Sequence, residues 1–311
     1  MQNSVVSYLV NKGAEAHVWH GMSAADQAEA MQRVIAWQPT HLCEMGAEIT
    51  AALLEQRLSS PVKASLEATG SGISRINKLC AKGATLVYPI FNWDDLPIKE
   101  GLHNRYLVGL ITWHTFTERT HLSLHRKQVL VIGYGLVGQG VADTASAFGG
   151  TVSIAERDSA RLLEARYKGY EAGPLDELLP RADVIVTATG TRHVLNAQHF
   201  PRLKDGCFLL NVGHVADEIE VEALNPRQQA IPFVEEATLN GRAVYLFAGG
   251  SMANLVAGQG DTLNGFDVTL ATMVAGLRYI VTAEAQNCPP KLYPLPRQAW
   301  EAVAAQAARV N

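Results

Sequence analysis

The chain has 311 residues, 48% of them hydrophobic and 18% charged, with a formal net charge of -4. That length holds one large or two ordinary domains with a sizeable core, and the acidic balance argues against nucleic acid or an anionic membrane as partner. No segment approaches the roughly 20 apolar residues of a membrane span. The start "MQNSVVSYLVNKG" lacks the basic residues and cleavage site of a signal peptide. Cys43, Cys80, Cys207 and Cys288 show no C-x-x-C spacing. A cytoplasmic chain with reduced thiols is expected.

In chain order, "AEAHVWH", "THLCEM", "VKASLEA" and "TLVYPIFN" read as strands. Between them "SAADQAEAMQRVIAW", "AEITAALLEQRL" and "GISRINKLCAKG" read as amphipathic helices. Strands alternating with helices predict βαβ units around a parallel sheet. "LHNRYLVGLITWHTFTERTHLSL" reads as a long connecting helix. A second series follows, with strands "QVLVIG", "TVSIAE", "DVIVTAT" and "CFLLNVG" and a late pair, "ATLNGRAVYLF", turning at Asn240-Gly241. Asn-Gly between apolar runs is a strong hairpin signal. The tail predicts an apolar helix over "DTLNGFDVTLATMVAGLRYIV", a Pro-rich loop "NCPPKLYPLP" and a short Ala-rich helix. The fold class expected is α/β. A Rossmann-type doubly wound parallel sheet spans about 109–261, and a second α/β substrate domain is built from 1–108 with 262–311.

The stretch "QVLVIGYGLVGQGVADTASAFGG" carries Gly133, Gly135 and Gly138 between a strand and a helix. Gly133 suits the tight turn, Gly135 lets backbone approach a pyrophosphate, and Gly138 lets helix pack close to strand. The helix N-terminus then offers amides and a positive dipole to phosphates. The next strand ends in Glu156, 23 residues after Gly133. An acid there accepts ribose hydroxyls and repels a 2′-phosphate, so NAD is the expected cofactor. Arg157 follows and softens that repulsion. Thr187, Thr189 and Gly190 in "VTATGTRHV" fall at one later strand end, and Asn211, Gly213 and His214 in "LLNVGHVADEIEVEAL" at the next. Ligands bind at such edges.

Taken together, these residues resemble the S-adenosylhomocysteine hydrolase family. Its G-Y-G-x-V-G-x-G is similar to "GYGLVGQG", Gly133 to Gly140; its strand-end acid matches Glu156. Its N-[IV]-G-H pattern matches "NVGH", and its L-x-A-x-G-x-x-x-N-L matches "LFAGGSMANL", which carries Asn254. Upstream, "GSGISRINKLCAKGATLVYPIFNWDDLPIKEGLHNRY" looks like the family's stretch from T-G-V-x-x-L through N-x-N-D-x-x-x-K to D-N-x-Y. The resemblance implies bound NAD, with Leu136, Val137, Thr69 and Ser71 among its contacts. It further implies oxidation of a ribose 3′-hydroxyl, elimination of a thiol at C5′, addition of water, and reduction by the same cofactor. Lys99 matches the family's lysine base, and Asn104 and His214 its partners. His103 stands where the family has the aspartate of D-N-x-Y. Glu44 lies beside Met45, which replaces an aspartate. Ala68 replaces a glutamate, with Glu67 one residue earlier, and Asp261 replaces a histidine of the adenine-closing segment. The first hundred or so family residues and its C-terminal tail have no counterpart.

The oxidation groups are thus kept and the elimination groups changed. The expectation is an NAD-dependent adenosylhomocysteinase-like enzyme acting on a small-molecule nucleoside thioether or relative. Two alternatives stay open: an NAD-dependent dehydrogenase of a small hydroxylated substrate, and a non-catalytic NAD-binding paralogue. A homodimer or higher homo-oligomer is expected from the resemblance and the apolar tail helix. No metal site is expected. His121 and His125, four apart, read as a solvated helix end, and His17 and His20 as packing residues. Arg192 and His193 are candidates for an anionic substrate at the cleft rim.

Overall fold

The computed structural model describes residues 3–310 except His20, Val215, Ala216, Gln259, Asp261 and Thr262. In chain order its strands are β1 (His41–Glu44), β2 (Ala64–Glu67), β3 (Ile90–Asn92), β4 (Gln128–Ile132), β5 (Thr151–Ala155), β6 (Glu171–Gly173), β7 (Val184–Thr187), β8 (Cys207–Asn211), β9 (Arg227–Ile231), β10 (Val234–Leu239), β11 (Arg242–Phe247) and β12 (Leu292–Pro294). The chain divides into two compact units, residues 1–95 with 271–311 and residues 96–270. The division falls after Asp95 rather than after residue 108, because residues 99–107 form a helix that packs with the second unit.

The first unit holds a four-stranded parallel sheet, β1-β2-β3-β12. Its helices include α1 (Asn3–Asn11), α2 (Ala24–Ala36), α3 (Glu48–Glu55) and α4 (Gly70–Ala81). Ser23 opens α2 with a capping box: its hydroxyl accepts the Asp26 amide at 3.1 Å and Asp26 accepts the Ser23 amide at 2.9 Å. Leu42, Leu53, Val62, Ile76, Tyr88 and Ile90 form the core. The stretch expected as a first strand, "AEAHVWH", is irregular through residue 19, and His20 lies outside the described residues. Among the described residues none of it is buried, and no strand pairs with it. Alternation alone makes no strand without a ladder to join. Conversely, the Pro-rich loop contains β12, which adds to β3 as an edge, where a proline costs no ladder bond.

The second unit holds an eight-stranded sheet in the order β6-β5-β4-β7-β8-β11-β10-β9. The first six strands are parallel, and β10 and β9 close the sheet antiparallel. The strand order therefore reverses between β4 and β7, the place where doubly wound sheets bind dinucleotides. The β4 run is apolar throughout because both faces are covered. Val129 and Val131 join one cluster, with Val141, Val184 and Phe247, while Leu130 and Ile132 join the other, with Ile185, Leu209 and Leu246. The Asn240-Gly241 turn is a two-residue hairpin loop with φ of 51° and 78°. Strand β9, unread in the sequence, extends this hairpin.

The connector expected as one long helix is two. Residues Lys99–Leu107 form a wide π-helix, in which the Val108 amide reaches back five residues to the His103 carbonyl. An α-helix, α5 (Val108–Thr120), continues it and stops at His121, which is left-handed with φ of 56°. Both lie against α6 (Leu136–Ala147). A Cβ on Gly109 would stand 2.3 Å from the Gly140 carbonyl oxygen, and one on Gly140 would stand 2.1 Å from that of Arg105. Backbone thus meets backbone, and Trp113 donates its indole N–H to the Val141 carbonyl at 2.8 Å. Asp143 of α6 pins the wide helix through Arg105 at 2.6 Å, and Tyr170 donates to its other oxygen at 2.5 Å.

Candidate active site

The turn after β4 is built for close approach. Gly133 has φ of 97°, and a Cβ there would meet the Ala188 carbonyl oxygen at 2.6 Å. On Gly138 it would meet the Gly133 oxygen at 2.0 Å, so strand and helix touch directly. Gly135 differs: the nearest atom to its missing Cβ is the Arg161 guanidinium, 3.6 Å away. Its outer face is open. Among the described residues no side chain caps α6 at Gly135, so the first amides of this helix, including those of Leu136 and Val137, are left for an anion. Glu156 stands beside the turn. It accepts the Tyr134 amide at 2.7 Å and those of Arg157 and Asp158 at 2.6 and 2.9 Å. The carboxylate therefore has a fixed position: Oε1 takes two of these amides, and Oε2, with one, keeps an acceptor position for a further donor. Asp158 caps the next helix, α7 (Ser159–Tyr167), which carries Arg161. Gly-rich turn, uncapped helix and placed acid fit the two phosphates and the adenosine ribose of a dinucleotide.

Across the switch point lie the ends of β7 and β8. Thr187 donates to Asn211 Oδ1 at 3.1 Å, the Gly213 amide donates to the same oxygen at 2.8 Å, and Asn211 Nδ2 donates to the Gly250 carbonyl at 3.1 Å. Asn211 is fully buried, so its side chain ties the two strand ends to the turn at 248–250. Met252 bridges to Asn211, and Asn254 follows, 4% exposed, with no hydrogen-bond partner on Oδ1 among the described residues. A buried amide oxygen left open at this edge fits a donor from a ligand. His214 is exposed and lies against Gly190, where a Cβ would stand 2.9 Å from its Cε1. Beneath both is Glu218, which the sequence reading left without a role. Its carboxylate is fully buried and accepts the amides and hydroxyl of the Thr189–Gly190 turn. In the sequence it stands among other acids, Asp217, Glu220 and Glu222, and nothing local singles it out.

On the wide helix Lys99 Nζ donates to Asn104 Oδ1 at 2.5 Å. Positions five apart lie about 140° apart around an ordinary α-helix, so the π-turn is what brings this pair together. His103, 8% exposed, lies beside the Phe266 ring, with centroids 5.5 Å apart. Burial, with the Lys99 charge second, pushes its imidazole down to about 4, so it is neutral near pH 7.

Of the remaining expected residues, Glu44, Met45, Ala68, Thr69 and Ser71 belong to the first unit and Arg192 and Asp261 to the second. Glu44 is 8% exposed and accepts the amides of Ile49 and Thr50 at 2.7 and 3.1 Å, together with the Thr50 hydroxyl. Its carboxylate thus caps α3 from inside. Glu67, paired with Glu44 across β1 and β2, accepts Gly46, Ala47 and Thr69 amides at 3.0, 2.9 and 2.9 Å and the Thr69 hydroxyl at 2.7 Å. Burial raises both carboxyls above their ordinary values. Thr69 caps α4, and its hydroxyl lies 3.0 Å from that of Ser71. Met45 is exposed and Ala68 buried. Arg192 pairs with Asp217 at 2.5 Å. Asp261 lies outside the described residues.

A doubly wound sheet with an open glycine turn at its switch point and an acid beyond it defines a dinucleotide-binding enzyme unit of the Rossmann type. Residues 113–260 match the S-adenosyl-L-homocysteine hydrolase, NAD binding domain. An adenosylhomocysteinase from Pyrobaculum aerophilum is 31% identical, covering 90% of this chain and 70% of the relative. One from Thermotoga maritima is also 31% identical, covering 97% and 76%. An S-inosyl-L-homocysteine hydrolase from Methanopyrus kandleri is 28% identical, covering 97% and 73%. The chain belongs to the S-adenosyl-L-homocysteine hydrolase family. It is an NAD-dependent enzyme of the adenosylhomocysteinase type.

Proposed function

We propose that the chain oxidises a sugar hydroxyl of a small nucleoside or nucleoside thioether, and that the oxidation outlives the elimination in this member. The observation that carries the reading is the Lys99–Asn104 pair, held at 2.5 Å on a wide helix packed against the helix of the glycine turn. When bound, NAD supplies a hydride acceptor. The uncapped start of α6 binds its phosphates and Glu156 its adenosine ribose. Lys99 takes the proton of the substrate hydroxyl, Asn104 orients the ammonium or amine, and His214 holds the oxygen. The two units then serve as an NAD-binding part and a substrate-binding part.

Support for a weakened elimination comes from the first unit. Glu44 and Glu67, the acids next to the substituted positions Met45 and Ala68, have their carboxylates turned to helix-start and loop amides. Neither is spare for a proton at C4′ or C5′. That favours, as a second reading, net oxidation of a hydroxylated substrate without thiol release. A second copy of the chain is the proposed partner: Leu270, Val274 and Val281 expose a stripe along one side of the tail helix, Leu263–Ile280, and its end. The cytoplasm is the proposed location.

Stopped-flow mixing of the NAD-loaded protein with adenosine, inosine or S-adenosylhomocysteine tests the reading. A reduced-nicotinamide absorbance should rise with at least one of them. Lys99→Met should slow it by at least ~10²-fold, the usual scale for a general base, with NAD affinity nearly unchanged. Thiol release from S-adenosylhomocysteine should be slow or absent. Loss of NAD binding in Lys99→Met, or rapid release of homocysteine, would overturn the assignment.

A further inference from the structure

Glu218 is a carboxylate with no exposed surface in a part of the fold that is closed without it. Its own segment is held by backbone: the Leu195 amide donates to the Glu218 carbonyl at 3.1 Å, the His193 amide to the Asp217 carbonyl at 2.8 Å, and Leu195 bridges to Ile219. Burying a carboxylate is costly unless every lone pair meets a donor, so this one needs a reason. Its oxygens take the Thr189 amide at 2.9 Å, the Thr189 hydroxyl at 2.8 Å and the Gly190 amide at 2.6 Å. That donor set gives both oxygens hydrogen-bond partners. On its other side the carboxylate lies flat on Gly213: a Cβ there would stand 1.7 Å from Oε1.

Both surfaces that Glu218 braces end at one side chain. Gly213 is the residue before His214. Gly190, held with φ of 66° through its amide, lies under the imidazole, its missing Cβ 2.9 Å from Cε1 and 3.5 Å from Nε2. Any residue other than glycine at 190 would push the ring away. Any loss of the carboxylate would free the turn that keeps Gly190 in that left-handed conformation.

We propose that Glu218 is the positioning residue for His214, fixing where the imidazole meets the substrate hydroxyl. The proposal rests on the reading of His214 given above. It requires no contact between Glu218 and substrate: the carboxylate acts through the Thr189–Gly190 turn and the Gly213 backbone.

Glu218→Gln and Gly190→Ala test it, the first removing the carboxylate and the second keeping the carboxylate while setting a Cβ against the ring. With histidine labelled at 13Cε1 and the protein loaded with NAD, the resonance assigned to His214 by its loss in His214→Ala should shift in both variants. With adenosine or inosine as probe, appearance of reduced nicotinamide should slow in both, on the order of 10²-fold for an ångström-scale misplacement. In a His214→Ala background Glu218→Gln should slow it no further than about twofold, the signature of two residues acting as one. Equal slowing by Glu218→Gln with and without His214 would overturn the proposal, as would an unmoved His214 resonance in a folded Glu218→Gln protein. If Glu218→Gln does not fold, Gly190→Ala carries the test alone: an unshifted ring there is the refuting result. Failure of the wild-type protein to form reduced nicotinamide with any probe would count against the proposed function, and the resonance would still decide the role of Glu218.

Discussion

Replacing Gly140 by alanine adds one methyl group at the crossing of α6 and the wide helix. Its Cβ would lie 2.1 Å from the Arg105 carbonyl oxygen and 2.9 Å from the carbonyl carbon. An ordinary contact needs upwards of ~3.4 Å, so the two backbones must part by more than an ångström. Neither partner is a flexible side chain that can swing aside. Overpacking of this kind costs about 1–3 kcal/mol, and occasionally more; alanine's better helix propensity returns up to about 1 kcal/mol. A net loss near 2 kcal/mol is expected, a fall of about 4–8 °C in the melting of a unit this size. Hydride transfer should suffer more than stability. The displaced helix carries Lys99 and Asn104, and an ångström of misplacement costs on the order of 10²-fold. Gly101→Ala is the control, since nothing lies within 4 Å of its Cβ position on the same helix; it should be neutral or slightly stabilising. Calorimetric melting with stopped-flow absorbance measures both. A Gly140→Ala protein as stable and as fast as wild type would refute the close crossing.

Glu156→Ala should weaken NAD about tenfold by calorimetry and leave NADP little changed, narrowing the preference; equal affinities in wild type would refute the role of this acid. His103 should make the second unit acid-sensitive. Its imidazole is neutral in both states above pH 6.5, and as pH falls from 6.5 toward 4 the unfolded chain takes a proton that the folded one refuses. The loss is on the order of 3 kcal/mol at ~1.4 kcal/mol per pH unit, and denaturant titrations of His103→Gln across that range should lack it. Glu44 and Glu67, raised by burial, pull the opposite way on acidification, but both proteins share them. Glu67→Gln should cost the first unit about 1–3 kcal/mol, because an amide nitrogen would face donors from Gly46, Ala47 or Thr69; an unchanged melting curve would show the carboxylate to be idle.

The parts of the fold readable from sequence were those where one residue pattern has one physical solution. A strand as apolar as "QVLVI" must be covered on both faces, and Asn-Gly between apolar runs must turn. The wide helix was not readable, since "KEGLHNRYL" has no clean apolar period and a π-turn is fixed by what packs on it, here Gly140. The "AEAHVWH" alternation misled because strand formation depends on a neighbour that no local pattern names. At the site, the glycine turn and Glu156 could be read because strand, turn and helix are contiguous. The bonding of Glu67 and Glu218 could not, because donors come from distant segments: loop 46–47, beside the neighbouring Thr69, for one, and the turn after β7 for the other. Motif matching places Glu44 and Glu67 one residue from the substituted positions, and the pairing of β1 with β2 sets the two side by side.

The five-residue separation of Lys99 and Asn104 has a consequence for how this segment can change through descent. Deleting one residue between them would return the ladder to ordinary α-helical pitch and leave the pair four apart, still on one side of the helix. Inserting one, or changing Gly140 so that the wide coil no longer fits, would send the two side chains to different sides. Tolerance to length change here is therefore lopsided. Gly101, with nothing against it, is the residue whose loss the geometry accommodates most easily.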